Sequence, residues 1–277
     1  CVGRYRLSSD DNILFLKDIN DNKDRYNSIF DNPYLAVYKE AHDKYGACAH
    51  LNIYYETDEQ VGFSNQREYF NLSMMTDKFK DEWRQNSSWL RLSFHARHNS
   101  PDKPYKFTNM KRIGEDARLV NKEIIRFAGE EVLSPVTTVH WGECTQKGLR
   151  ELRNLGIKAF CGYFTFRNGE PIVSYFYPPD LVAHVHGRDF WKDNEEDILF
   201  GRIDLVLNEH KLPEIVPLLE KVKENPHTGG FVEFMIHEQY FYEDYVNYIP
   251  EFKEIVLTAC KWANDNGYKG KLLSELL

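Results

Sequence analysis

The sequence contains no apolar run approaching the roughly 20 residues that span a bilayer, which argues against a transmembrane role. It also lacks a cationic excess: 35 Lys and Arg against 43 Asp and Glu leave a net charge of −8 and a pI near 5.7. No broad basic surface is therefore on offer for counterion release from a nucleic acid or for holding an anionic bilayer, and neither is an expected partner. A short-spaced cysteine pair is missing too. Cys1, Cys48, Cys144, Cys161 and Cys260 are scattered, and their odd number leaves at least one unpaired in a monomer, which favours a reducing, cytoplasmic compartment. No charged-then-apolar leader precedes Cys1. The absence of an initiator Met before a strand-like segment implies a trimmed start, so a removed leader is compatible with the sequence. A lipid-bearing Cys1 is disfavoured, because such residues usually precede a flexible linker. Internal repeats, low-complexity tracts and hinge-like linkers are absent as well.

What is present is enough apolar material, 42% of 277 residues, to offset the ordering entropy of a folded chain. Strand-like and helix-like segments alternate along the whole length, the pattern of a parallel sheet with crossover helices. Tyr5 to Ser8 reads as a first strand. Asn32-Pro33 opens a helix that runs to Gly46. Cys48 to Tyr55 alternates with period two, placing His50, Asn52 and Tyr54 on one face and Leu51 and Ile53 on the other. Thr76 is positioned to cap a helix through Trp83, and Trp89 to Phe94 supplies a third strand. Asn109 to Phe127 carries Ala117, Val120, Ile124 and Phe127 on one helical face. Pro135 to Val139, Ile157 to Phe164, Ile198 to Leu207 and Phe231 to Ile236 complete seven strands. Helices are expected after Thr145, from Pro213, and after Pro250. Residues 165–196 break the rhythm with Asn168-Gly169 and Pro178-Pro179, and read as a hairpin-bearing insertion. The economical architecture is a single α/β domain over 1–277, a (β/α)7 TIM-like barrel.

In such a barrel the chemistry collects at the carboxyl ends of the strands. That position selects Asp10 and Asp11 after the first strand, His95 and His98 after the third, His140 and Trp141 after the fourth, and His237 and Glu238 after the seventh. Adjacent aspartates in extended backbone cannot point the same way, so a loop can divide Asp10 and Asp11 between a metal ion and a reacting water. The competing use of such a pair is capping a turn. His95 and His98, three apart, can converge on one cation and, with Asp11, leave an open position for water. Alternatively, His98 is merely exposed in a polar loop. His140, Trp141, Glu238 and Tyr240 are candidate substrate contacts. Trp141, Tyr163, Tyr175, Tyr177, Phe190 and Trp191 either form a sugar-stacking platform or pack in the core. Asp204 and Glu233, inside predicted strands, require partners such as Arg91 or Arg202. His184 and His186 alternate across a strand or hairpin in this reading, as a second possible metal pair or an exposed insertion.

Ser8-Ser9-Asp10-Asp11, His95-Ala96-Arg97-His98 and Ile236-His237 together resemble the polysaccharide deacetylases of the NodB homology type, in element order across nearly the whole chain. His237-Glu238-Gln239-Tyr240 and Asn266-Gly267-Tyr268 look like members of the wider glycoside hydrolase/deacetylase barrels. The resemblance implies a metal-dependent hydrolase with Asp10 as general base, Asp11, His95 and His98 as metal ligands, and His237 as general acid. The chain departs from the family pattern in two places. The two His are three rather than four apart with Ala96 after the first, and Val139-His140-Trp141-Gly142 stands where an arginine that orients the base belongs, which leaves a ligand or orienting role open to His140. The expected activity is removal of acetyl or other acyl groups from a carbohydrate with a divalent metal, Zn by the choice of imidazole and carboxylate ligands. The alternatives are a glycosidase using two carboxylates among Asp10, Asp11 and Glu238, and a non-catalytic carbohydrate-binding barrel.

Overall fold

The computed structural model describes residues 3–277, so Cys1 and the question of its modification lie outside the described residues. Seven parallel strands carry the fold. They are Arg4–Asn12, Ala49–Tyr54, Leu90–Ala96, Val136–Thr137, Ala159–Gly162, Ile198–Arg202 continued by Leu205–Val206, and Phe231–His237. The first strand pairs with the second and the seventh, the second with the third, the fourth with the fifth, and the fifth with the sixth. Two seams close the ring. Between the third and fourth strands, Leu92 and Leu133 form a parallel bridge and Ser134 N donates to Leu92 O at 2.8 Å. The sixth strand turns from one neighbour to the other: Ile203 N donates to Gly162 O at 2.8 Å, Asp204 N to Glu233 O at 2.7 Å, and Leu205–Val206 then pairs with the seventh strand. The result is the (β/α)7 barrel that the alternating pattern predicts.

The helix ends follow local chemistry. Asn32 accepts from Leu35 N with Pro33 in the first turn, and Gly46 ends that helix at φ +66°, a conformation glycine adopts without strain. Asn109 caps Met110–Phe127 and Thr145 caps Gln146–Asn154 in the same way. Thr76 does not cap a helix. Its hydroxyl accepts from Lys78 N in a local turn, and the helix begins only at Lys80. Residues 165–196 contain the expected hairpin, Thr165–Arg167 with Glu170–Ile172, turning at Asn168 and Gly169, both at positive φ as a tight hairpin turn requires. They also contain a helix, Pro179–His186, and an antiparallel edge strand, Phe190–Asp193. His184 and His186 thus lie two apart on a helix, where side chains diverge, and His186 Nδ1 lies 2.8 Å from Phe164 O.

Period two sorts the first three strands into an outer apolar face and an inner polar one, while the fourth to seventh strands carry a second apolar cluster that includes Val136, Ala159, Cys161, Ile203, Val206, Phe231 and Met235. Leu51, Ile53, Leu92 and Phe94 are fully buried in the main apolar core. Inside the barrel, a hydrogen-bonded column rises from Glu233 through Arg6, His50, Ser93 and Asn52 to Asp10. Glu233 finds its cation in Arg6, its in-register neighbour on the first strand, rather than in Arg91 or Arg202. Arg202 pairs with Asp204 at 2.5 Å, and Arg91 donates to Ser87 O. The Arg6–Glu233 and Arg202–Asp204 pairs are almost wholly buried, where an unpaired charge would be costly. The proposed aromatic platform divides. Tyr175 and Tyr177 are 5% and 6% exposed and pack against Phe200, while Phe190 packs on Phe231. Of that group, only Trp141 and Tyr163 line the cleft.

Candidate metal centre

The first strand breaks its register between Ser9 and Asn12, and Asp11 adopts φ +62°. This irregularity lets two carboxylates that a regular strand would point to opposite faces line the same cavity with different neighbours. Asp10, 3% exposed, accepts from Asn52 Nδ2 at 2.6 Å. Asp11 turns toward the third and fourth strands, where its Oδ1 lies 3.0 Å from His95 Nε2 and 3.1 Å from His140 Nδ1. Those two nitrogens are themselves 3.1 Å apart. Donors in a tetrahedral shell at 2.0–2.1 Å from a cation are separated by about 3.3 Å, close to the edges of this triangle.

The outer partners decide the chemistry of that triangle. His95 Nδ1 faces Thr138 O, and His140 Nε2 lies 2.9 Å from Asn99 O. A ring proton on each carbonyl-facing nitrogen would leave the other nitrogen of each imidazole free to present a lone pair beside Asp11 Oδ1 when a cation is held there. Three ligand atoms converging in this way fit a cation. Tyr54 donates to Asp11 Oδ1 and lies 3.2 Å from either ring nitrogen of His140, and Gln239 Nε2 donates to Asp11 Oδ2 at 2.9 Å. Burial alone would push the Asp11 carboxyl up, but His140, His95 and His237 hold it well below the usual carboxylate range. Burial, and then Asp11, push the Tyr54 phenol far above its ordinary value, so it stays a donor.

The third ligand position differs from the sequence reading. His98 is not brought to Asp11. After Ala96 the chain turns away, with Arg97 N bound to the Tyr105 hydroxyl, and His98 lines a separate cavity of about 160 Å³ with Arg97, Arg112 and Asp116. His140, from the end of the fourth strand, stands beside His95 instead. Glu238 is also displaced from its expected place as a substrate contact. It is fully buried, and its carboxylate accepts from Ile13 N, Leu14 N and Phe15 N at 2.7, 3.1 and 2.6 Å and from the Tyr242 hydroxyl at 2.6 Å. It caps the helix Leu14–Asp21, and burial outweighs these bonds to push it up to about 7.

Asp10, Asp11, His95 and His140 share one cavity of about 560 Å³ with His237, Trp141 and Tyr240, lined from all seven strand ends. His237 is the in-register neighbour of Asp10 across the first and seventh strands, and Asn208 Oδ1 lies 2.9 Å from its Nδ1. Sequence reading missed Asn52, Tyr54, Asn99, Asn208 and Gln239. For the first two a signal was available, since they share the polar face of the second strand with His50.

No family model and no curated protein matches the sequence. Among solved structures, the chain is similar to the Xyl-CE4 domain of a multidomain xylanase from the hindgut metagenome of Trinervitermes trinervoides, at 10% identity and a TM-score of 0.47, over 100% of this chain and 90% of that one. A family 4 acetyl xylan esterase from Clostridium thermocellum, in complex with a cobalt ion, aligns at 13% identity and a TM-score of 0.46, over 98% and 89%. The 4-alpha-glucanotransferase from Thermococcus litoralis reaches a TM-score of 0.57 at 11% identity, with 99% of this chain on 40% of that one. This last likeness is one of fold.

Proposed function

We propose that the protein is a metal-dependent hydrolase that removes acetyl or other acyl groups from a carbohydrate. The observation that carries this reading is the triangle of Asp11 Oδ1, His95 Nε2 and His140 Nδ1, at the floor of a cavity that Asp10 and His237 also line. Imidazole and carboxylate donors suit Zn. A divalent cation held by Asp11, His95 and His140 would supply Lewis acidity toward the acyl carbonyl and the attacking water. Asp10, with one oxygen held by Asn52, takes the proton of the attacking water through its other oxygen as the water's oxygen bonds to the acyl carbon. His237, oriented by Asn208, gives a proton to the leaving nitrogen or oxygen as its bond to that carbon breaks, releasing the carboxylic acid and the free amine or alcohol. Tyr54 and Gln239 keep Asp11 aimed at the two imidazoles. Trp141 and Tyr240, on the cavity wall, offer ring faces to a sugar.

The glycosidase alternative needs two carboxylates free to face one glycosidic bond. Glu238 is committed to four hydrogen bonds away from the cavity, which leaves Asp10 and Asp11 of the three candidates, and Asp11 is turned to His95 and His140. The decisive experiment measures acetate release from acetylated sugars by Zn-loaded protein, alongside Asp10→Asn and His237→Ala. Turnover in the wild type with a loss of about 10² to 10⁴ in Asp10→Asn, at unchanged metal content, supports the hydrolase. Sugar binding without turnover on every substrate supports the non-catalytic barrel instead.

A further inference from the structure

Neighbouring strand-end loops are tied to one another most of the way round the cavity. The loop after the second strand and the segment after the seventh meet across the first strand, where Phe63 and Tyr245 form an antiparallel bridge. Val246 N donates to Gly62 O at 2.8 Å and Ser64 N to Asp244 O at 2.9 Å. Arg67 fastens this seam with two bonds to Asp244, at 3.1 and 2.8 Å, and its guanidinium lies over the rings of Phe63 and Tyr242. Ser100 N donates to Asp58 Oδ2 at 2.6 Å, and Arg97 Nε to Glu56 at 2.7 Å, joining the second loop to the third. Lys103 and Glu143, 3.5 Å apart, join the third to the fourth. Tyr175 N donates to Gly142 O at 2.6 Å, docking the segment after the hairpin on the fourth loop. The contact is so close that a Cβ on Gly142 would lie 2.5 Å from Val173. Among the described residues, no hydrogen bond joins the hairpin to the loop of Asn208 and Glu209, so that flank is the untied one.

A groove that accepts a polymer in mid-chain needs two open sides opposite each other. Here the side across the ring from the untied flank is closed by the Arg67–Asp244 seam, and the cavity of about 560 Å³ falls within the roughly 300–1,000 Å³ of small-molecule sites. We infer that the cleft takes short acylated glycans or the ends of longer ones, and does not act within a polymer. The inference rests on the proposed function and narrows its substrate class. Arg67 and Asp244 lie outside the cavity lining, so the seam can be weakened there without altering Phe63 and Tyr245, which line the cavity, or the groups that react.

The test compares acetate release from N-acetylglucosamine and acetylated xylose, as series of one to six units and as long polymers, with the modified positions located by mass spectrometry. In the wild type, rates are expected to be equal per chain end, with acetyl loss from the polymer confined to terminal units. The double variant Arg67→Ala/Asp244→Ala is expected to keep its rate on short glycans and to gain at least tenfold on interior positions. Interior deacetylation by the wild type at the terminal rate overturns the inference and leaves the hydrolase standing. Calorimetric binding of both series to Asp10→Asn reads the same preference without turnover: affinity for chains with blocked ends is expected to be lost, and its retention also overturns the inference. Neither acetate release nor binding across both series overturns the function and the inference together.

Discussion

The Asn52 side chain donates its amide to Asp10 Oδ1 at 2.6 Å, while Ser93 donates to the carbonyl oxygen of that amide at 2.6 Å and the Thr137 hydroxyl, which donates to Phe94 O, lies 3.2 Å from it. A neutral amide anchored by the Ser93 hydroxyl thus holds the carboxylate where the resemblance would lead one to look for an arginine. Asn52→Ala is expected to lower the turnover number by about 10- to 100-fold, the usual cost of losing an outer partner, while metal affinity stays unchanged. Steady-state kinetics with a parallel metal titration check this. Equal losses of both would mean that Asn52 merely supports the fold around Asp11.

Tyr54 acts on the other carboxylate. Tyr54→Phe removes the hydroxyl that donates to Asp11 Oδ1 and keeps the ring, which packs edge-on to His140 with centroids 5.2 Å apart. Affinity for Zn is expected to fall by about tenfold or more, with little change in thermal stability. A competition titration against a chromophoric chelator measures the first, and a melting curve the second. An unchanged Zn affinity would remove Tyr54 from the support of the centre.

At the opposite end of the barrel, burial pushes the Asp189 carboxyl up from 3.8 to about 6, against the pull of the Phe231 and Gly230 amides and Arg202. A folded-state value above the unfolded one gives a stability contribution that is fully present below about pH 4 and is lost as the pH rises through about 6. Asp189→Asn cannot ionise. The Tm of the wild type minus that of the variant is therefore expected to be larger at pH 4.5 than at pH 7.5. A difference that is flat or runs the other way would contradict the assignment of this proton.

The parts of the fold that were legible in the sequence are those fixed by local chemistry. Asn32-Pro33 and Gly46 bound one helix, Asn109 and Thr145 cap two more, and Asn168-Gly169 turns the hairpin, because each residue acts on backbone within a few positions of itself. The alternation of His50, Asn52 and Tyr54 with Leu51 and Ile53 likewise announced a strand with one polar face. Which residues meet at the site is a non-local matter. The local spacing of His95 and His98 suggested a ligand pair, but the chain turns outward after Ala96, and the second imidazole comes from His140 on the next strand. Glu238 looked free because its partners, the amides of Ile13 to Phe15, lie at the other end of the sequence. The φ of +62° at Asp11 is a product of how the first two strands shift register, and no residue nearby announces it.

The central claim is that Asp11, His95 and His140 hold one divalent cation. Its most direct test is a Zn titration of the wild type, His140→Ala and His98→Ala. One Zn per chain is expected for the wild type, with a loss of affinity above about tenfold in His140→Ala, where a donor is removed, and none in His98→Ala. Weakened binding in His98→Ala with full affinity in His140→Ala would contradict the account.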